Sequence, residues 1–365
     1  MGVPQDYFQR IDLTDGNTTT DRAGDNVRED FMDAIYNIAP RLTEFMSRIG
    51  RGKSKDVYTS WQQDTLREPN ENNKHKDGAD FTTVALSKAR RVGNINQISK
   101  GYLVTTGRAD VVDKAGRSSE MTYQLAKEIP ALKRDMEAIL TSNQTAAPDA
   151  DGDTESTLGG LQASFRMPST GQVRTAITAG TGSAETLRAN TTTIPTAYVA
   201  NGTPGALTET LLRTAIERQF TNGGMADTIM VAPAVKTLIS TYLYTSSARV
   251  AALYSDVGQK SSKGGASAQG SVDVYISDFG AFKIIPNRFL GYDSDSAHAP
   301  DGSVLYILDF SLWATLYLRP FRTKKMGVTG DNDKRELLVD YTLQNKEEMG
   351  NAAIFDIDPT TPMVA

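Results

Sequence analysis

Residues 57–66 and 81–104 read as two strands separated by a centre, residues 67–80, that contains almost nothing apolar. Such an arrangement predicts a hairpin with a solvated tip. If each limb pairs over ~15 residues, the ribbon reaches ~50 Å at ~3.3 Å per residue. A globule of this length has a radius of gyration of only ~21 Å. The ribbon is therefore too long to fold back onto its own core, and an isolated two-stranded ribbon is marginally stable in water. It is expected to lie on a neighbouring subunit.

The 365-residue chain, 39% hydrophobic, suffices for two or three units of ordinary domain size and a sizeable core. Its formal charge of −5 argues against broad attraction to nucleic acid phosphates, which needs clustered Lys and Arg. With no cysteine there are no disulfides, thiolate metal sites or cysteine nucleophiles, a composition that fits a reducing cytoplasm. The first 30 residues are polar and lack the apolar core of a secretory signal. No run approaches the ~18 apolar residues of a membrane span, so the protein is expected to be soluble when made, with no membrane partner.

Residues 1–28 form an arm with few anchors, Val3, Tyr7, Phe8, Ile11 and Leu13, and alone it is expected to be disordered. Removal of a long N-terminal scaffold segment is not expected. From Asn26, with Glu29 three residues on, a helix is predicted through Phe31, Ile35, Ile38, Leu42, Phe45 and Ile49, bent by Pro40 and stopped by Gly50. Ser118, Ser119 and Glu120 open a second helix, 117–143, with Met121, Leu125, Ile129, Leu132, Met136, Ile139 and Leu140 on one stripe and a bend at Pro130. Residues 165–205, rich in Thr, Gly, Ala and Ser, predict only short strands and loops. A helix over 207–220 capped by Thr208, a strand over 228–231, a helix over 235–243 and strands to either side of Asp278-Phe279-Gly280 predict a mixed layer. At the end of the chain, 304–308 and 312–318 are apolar runs. Leu337, Val339, Tyr341 and Leu343 alternate as a half-buried strand should. None of these end segments carries a plausible catalytic group.

Motifs that suggest chemistry fail on spacing. Gly50-Arg51-Gly52-Lys53-Ser54 has the ending of a phosphate-cradling loop, but the first glycine would fall at Ser47 and the segment follows a helix, so a basic connector is expected. Asp149-Ala150-Asp151-Gly152-Asp153 resembles the start of a calcium loop, yet its sixth and twelfth positions are Thr154 and Gly160 in place of Gly and Glu. His75 and His298 are the only histidines and belong to no ligand or triad pattern. No catalytic, cofactor-binding or metal residues are predicted, and no cofactor. Lys53, Lys55, Arg90 and Arg91 are instead expected against acidic patches of neighbouring subunits, where desolvated Arg gives register. Trp61 on the ribbon is a further anchor for that contact, with packing inside its own subunit the equal alternative. Tyr7 and Phe8 are the corresponding residues of the arm.

Several separated stretches carry a family resemblance in one order. They are Trp61 to Leu66, Leu132-Lys133-Arg134-Asp135 with Glu137, Gly159-Gly160-Leu161, Thr221-Asn222-Gly223-Gly224, and Asp227 to Val231. Val272 to Gly280, Asn287-Arg288-Phe289, Asp309 to Trp313, Tyr317 to Pro320, Thr329 to Asp331 and Leu337 to Leu343 complete the set. From about Tyr58 to Phe355 the chain resembles the tailed-bacteriophage major head proteins of the Hong Kong 97 capsid fold. The resemblance implies an α+β fold with an N-terminal arm and helix at 1–54 and an extended β-hairpin loop at 55–105. A peripheral domain with the spine helix and a variable β segment follows at 106–205, then an axial domain at 206–316 and a return to the peripheral domain at 317–365. It implies a non-enzymatic structural protein of the virion, assembled in the bacterial cytoplasm through hexamers and pentamers into an icosahedral shell. The partners implied are other copies, a portal, a scaffolding protein and packaged double-stranded DNA held non-specifically, with a cement or decoration protein left open. Some relatives cross-link a hairpin Lys to a body Asn. Lys74, Lys76, Lys88 and Lys100 with Asn345 and Asn351 supply the residue types, but that chemistry needs desolvation and a placed base. A tail, decoration or adhesin protein is the alternative, disfavoured by two long amphipathic helices. An enzyme is the third reading, and it lacks a recognisable site.

Overall fold

The computed structural model describes residues 43–64, 66–67, 69–78, 80, 89–112, 119–149, 154–165, 176–178, 195, 204–245, 272–290, 303–327, 329–347 and 349–363. Its helices are α1 (Glu44–Arg48), α2 (Gly107–Val111), α3 (Glu120–Thr141), α4 (Leu161–Ser164), α5 (Glu209–Thr221) and α6 (Pro233–Thr245). Its strands are β1 (Gly50–Lys53), β2 (Tyr58–Gln63), β3 (Arg90–Ile95), β4 (Gln97–Thr106), β5 (Ala176–Thr178) and β6 (Thr228–Val231), then β7 (Val274–Ser277), β8 (Gly280–Pro286), β9 (Leu305–Leu308), β10 (Trp313–Lys325), β11 (Asn332–Asn345) and β12 (Ala352–Phe355). They form a four-stranded sheet, β1-β10-β11-β4, a six-stranded sheet, β5-β12-β9-β6-β8-β7, and the separate pair β2-β3. The α+β class expected from the sequence is what the chain adopts.

The spine helix α3 starts where Ser119 accepts the Thr122 amide at 3.4 Å, and it buries Met121, Leu132, Met136 and Leu140, with Ile129 and Ile139 half-buried against the core. Thr208 caps α5 by accepting the Leu211 amide at 3.0 Å. The chain leaves α5 through Gly223 at φ +85°, a conformation that L side chains resist.

Three sequence expectations are corrected. The basic connector at 50–54 includes a strand: β1 pairs parallel with the start of β10, a partner more than 260 residues away that no local pattern reveals. The second limb of the hairpin does not run unbroken from 81 to 104. Only the six residues of β3 pair with β2, while β4 turns away and pairs antiparallel with β11 over ten residues, Gln97 to Thr106. Residues 81–88 lie outside the described residues. The strand at 337–343 is not half-buried but continuously buried from Glu336 to Leu343, because β11 lies between β10 and β4 and is covered on both faces. Of the helix predicted from Asn26, residues 26–42 lie outside the described residues; its end, α1, stops before Gly50 as expected, and Gly50 then opens β1. β10 runs through residue 316, and β12 returns to pair with β9.

One aromatic cluster joins the sheets. Trp313, fully buried, lies 6.0 Å from Phe45 and 6.1 Å from Phe165 between ring centroids, and Phe165 stacks on Tyr306 at 5.7 Å and meets Phe355 at 6.2 Å. Asn351 holds the indole N–H at 3.1 Å and the Asp309 amide at 2.9 Å. Glu137 ties α1 to this core. Fully buried on α3, its carboxyl accepts the Phe45 and Met46 amides at 2.7 and 2.8 Å and the Asn287 side-chain amide at 2.8 Å. The cap position of α1, Thr43, supplies no side-chain bond, so Glu137 satisfies the helix N-terminus from outside. Burial pushes the Glu137 carboxyl above its ordinary range, and Glu44 adds to the push, while the three donors oppose it. With its pKa raised in the folded state, Glu137 contributes stability below the unfolded value and loses it as pH rises through the folded value.

Glu137→Ala leaves three donors without an acceptor and is expected to cost about 3 kcal/mol or more. Glu137→Gln, which loses one acceptor, is expected to cost about 1–3 kcal/mol. Thermal unfolding of the unassembled protein checks the order; an E137A protein as stable as E137Q would refute the capping role.

Candidate functional site: the root of the ribbon

The ribbon leaves the body at a root built almost wholly from amides and hydroxyls. β2 and β3 pair over six residues, Tyr58 with Ile95 through Gln63 with Arg90, and this short ladder lies against the end of β11. The Trp61 indole N–H donates to the Asn345 carbonyl at 2.7 Å. Gln63 donates to the Asn345 and Lys346 carbonyls at 3.2 and 2.9 Å. Thr342 donates to the Ile95 carbonyl at 2.8 Å.

Asn94, buried, uses both ends of its side chain. Its NH2 donates to the Gly159 and Leu343 carbonyls at 3.0 and 2.8 Å, and its oxygen accepts the Gly159 and Ile95 amides, each at 2.8 Å. A side chain at Gly160, the next residue, would collide with the Ser142 carbonyl at the end of α3, so glycine is required for this loop to reach Asn94. Two residues on, Asn96 donates to Ser54 Oγ at 3.3 Å and to the Asp56 carbonyl at 3.1 Å, and accepts Thr59 Oγ1 at 3.2 Å. Ser156 donates to the Asn96 carbonyl at 3.0 Å. Asn94 thus clamps β3 to the body, and Asn96 ties the base of β3 to the segment that leads into β2.

Trp61 is half-buried and bonded within its own subunit, which favours the intrachain alternative for its role. Arg90 is half-buried beside Glu347; burial lowers the guanidinium pKa, opposed by Glu347, and burial raises the Glu347 carboxyl, opposed in part by Arg90. Arg91 is exposed, stacked over the Tyr58 ring at 5.7 Å and bonded to Ser60 Oγ at 3.1 Å. Lys53 and Lys55 are exposed at the β1 edge. Tyr7 and Phe8 lie outside the described residues. The structure gathers Trp61 and Arg90 at the root and leaves Lys53, Lys55 and Arg91 on the surface. Asn94, Asn96, Gln63 and Glu137 were not singled out from the sequence as anchors. Their one signal was a polar residue at an otherwise apolar position of a strand or helix.

No group of three His, Cys, Asp or Glu side chains suited to a metal occurs among the described residues. The side-chain oxygen of the buried Asn351 accepts from Trp313 and Asp309 and its NH2 donates to the Glu347 carbonyl, while Asn345 is buried and only its backbone carbonyl receives the Trp61 indole. Neither presents an exposed amide to a neighbour's lysine.

Comparison with known proteins gives a match to the SU10 major capsid protein family over residues 13–358. The chain belongs to that family. Its members are structural and not enzymatic. A curated relative, the major capsid protein of Escherichia phage Phieco32, is 31% identical over 114 residues, which span 31% of this chain and about a third of that protein's length (32%). Among solved structures, the capsid asymmetric unit of cyanophage A-1(L) matches with a TM-score of 0.56 and 13% identity, covering 91% of this chain and 97% of that one. The capsid of a native GTA particle matches with a TM-score of 0.55 and 7% identity, covering 94% and 99%. Both show the fold, the Hong Kong 97 type that the sequence resemblance implied.

Asn94→Asp replaces the NH2 that donates to the Gly159 and Leu343 carbonyls by a carboxylate oxygen facing both, so it is expected to destabilise more than Asn94→Ala, by about 2–4 kcal/mol. Limited trypsin digestion should then cut sooner around Arg67, Lys74 and Lys76; equal cutting of N94D, N94A and wild type would remove the clamp from the account. Purified particles boiled in detergent are expected to run as one band at 39.6 kDa, since both body asparagines are buried, and a ladder of multiples would reinstate cross-linking.

Proposed function

We propose that this chain is the head-shell subunit of a tailed bacteriophage, self-assembling through hexamers and pentamers into an icosahedral shell around double-stranded DNA. Assembly takes place in the host cytoplasm, beside a portal and a scaffolding protein. The observation that carries this reading is a ribbon with a hydrogen-bonded root and an exposed tip. Beyond Gln63 the described tip residues 66–67, 69–78 and 80 are exposed, Leu66 at 98%, and among them no strand pairs.

A segment of this kind gains its buried surface from another copy. Assembly, rather than folding of the monomer, offsets its ordering entropy. Obligate interfaces typically bury ~2,000–5,000 Å², and repetition around closed rings multiplies a modest pairwise affinity. Family membership supports the shell, and the five stretches 1–54, 55–105, 106–205, 206–316 and 317–365 are the parts assigned to it.

Electron microscopy of the expressed protein tests the proposal. Uniform hollow shells or ring-shaped capsomers are expected; rods or trimers would transfer the protein to the tail or decoration class.

A further inference from the structure

The outer face of β4 is apolar where an edge strand is normally polar. β4 is the last strand of its sheet, and among the described residues no strand pairs with its free edge. Ile98, Tyr102 and Val104 on that face are 43%, 68% and 61% exposed. An unprotected edge with an apolar face is a ready template for another chain.

The face beside them is cationic. Residues directly opposite across a ladder share a face; the register places Lys334 beside Val104, Glu336 beside Tyr102, and Lys324 and Arg322 one strand further on. The carboxylates in this row are already taken, Glu336 by Lys100 at 3.2 Å and Asp340 by Arg319 at 3.1 Å. Arg322, Lys324 and Lys334 are left with no carboxylate in salt-bridge range among the described residues. The face therefore fits a partner that is apolar and acidic at once.

The chain contains one segment of that composition. Residues 1–30 hold seven carboxylate side chains against three arginines, and residues 3–15 set Tyr7, Phe8, Ile11 and Leu13 among Asp6, Asp12 and Asp15. The chain enters the fold at α1, followed directly by β1, on the opposite edge of the sheet from β4. The 27 residues between Asp15 and Thr43 can reach up to ~90 Å when extended, well beyond one subunit. An arm leaving one edge for a seat on the other gives a head-to-tail contact, the kind that closes rings.

We propose that the outer face of β4, with Arg322, Lys324 and Lys334, is the seat of the N-terminal arm of a neighbouring copy, an assignment that rests on the shell reading. Tyr7 and Phe8 pack on Tyr102 and Val104, and the arm's aspartates meet the unpaired cations.

Because the chain has no cysteine, Phe8→Cys with Tyr102→Cys reports the contact directly. Oxidised particles of the double variant are expected to give dimers and higher multiples on a non-reducing denaturing gel, lost on reduction and absent from the Y102C single variant. A disulfide-closed monomer would show that the arm seats on its own subunit and overturn the proposal, as would particles with no disulfide. If the double variant does not assemble, carbodiimide treatment of wild-type particles replaces it. Covalent dimers in which a peptide covering residues 3–15 is joined to one containing Lys324 or Lys334 are expected, and their absence overturns the seat. Wild-type protein that forms neither shells nor capsomers refutes the shell reading itself, whereas shells lacking these links refute only the seat.

Discussion

Everything in this fold depends on covering both faces of β11. Leu337, Val339 and Tyr341 project toward the core side, where α3 packs, and all three are buried. On the opposite face Thr342 bonds Ile95, while Asn94 holds the neighbouring Leu343 carbonyl. A central strand buried on two sides must be closed by elements from elsewhere in the chain. Here those elements are the spine helix and the root of the ribbon, which is why the ribbon has a fixed direction although the described residues of its tip are exposed.

The polar groups at these junctions set geometry more than they add net stability. A buried amide that meets all its partners contributes little beyond the bonds it replaces in water, but the wrong arrangement leaves donors or acceptors stranded at much greater cost. Asn94, Asn96, Asn351 and Glu137 all act in this way. Each joins segments far apart in sequence, and Glu137 fixes the point at which the arm enters the fold. The aromatic cluster around Trp313 then supplies the apolar continuity between the two sheets.

Much of this was legible in the sequence. The spine helix, the Thr208 cap, the Thr228–Val231 strand and the turn at Gly280 follow from local periodicity and turn chemistry, and the ordered set of family stretches pointed to the shell architecture. Pairing was not legible. β1 reads as a basic connector because four residues with two glycines carry no strand signal of their own, and β4 reads as ribbon because its apolar alternation continues that of β3 across Asn96. The continuous burial of β11 depends on what covers it rather than on its own alternation. At the root, the sequence drew attention to Trp61 and the arginines because large and charged side chains stand out, while the asparagines that clamp the ribbon look like ordinary polar residues.

The pairing of β1 with β10 and of β4 with β11 carries a consequence for synthesis. The partners are separated by more than 200 residues, so neither ladder can form until nearly the whole polypeptide has left the ribosome. A chain that terminates before β11 has no floor on which to fix its ribbon. Incomplete products are thereby barred from co-assembly by topology alone, and a lattice of many identical copies is spared poisoning by fragments of its own subunit.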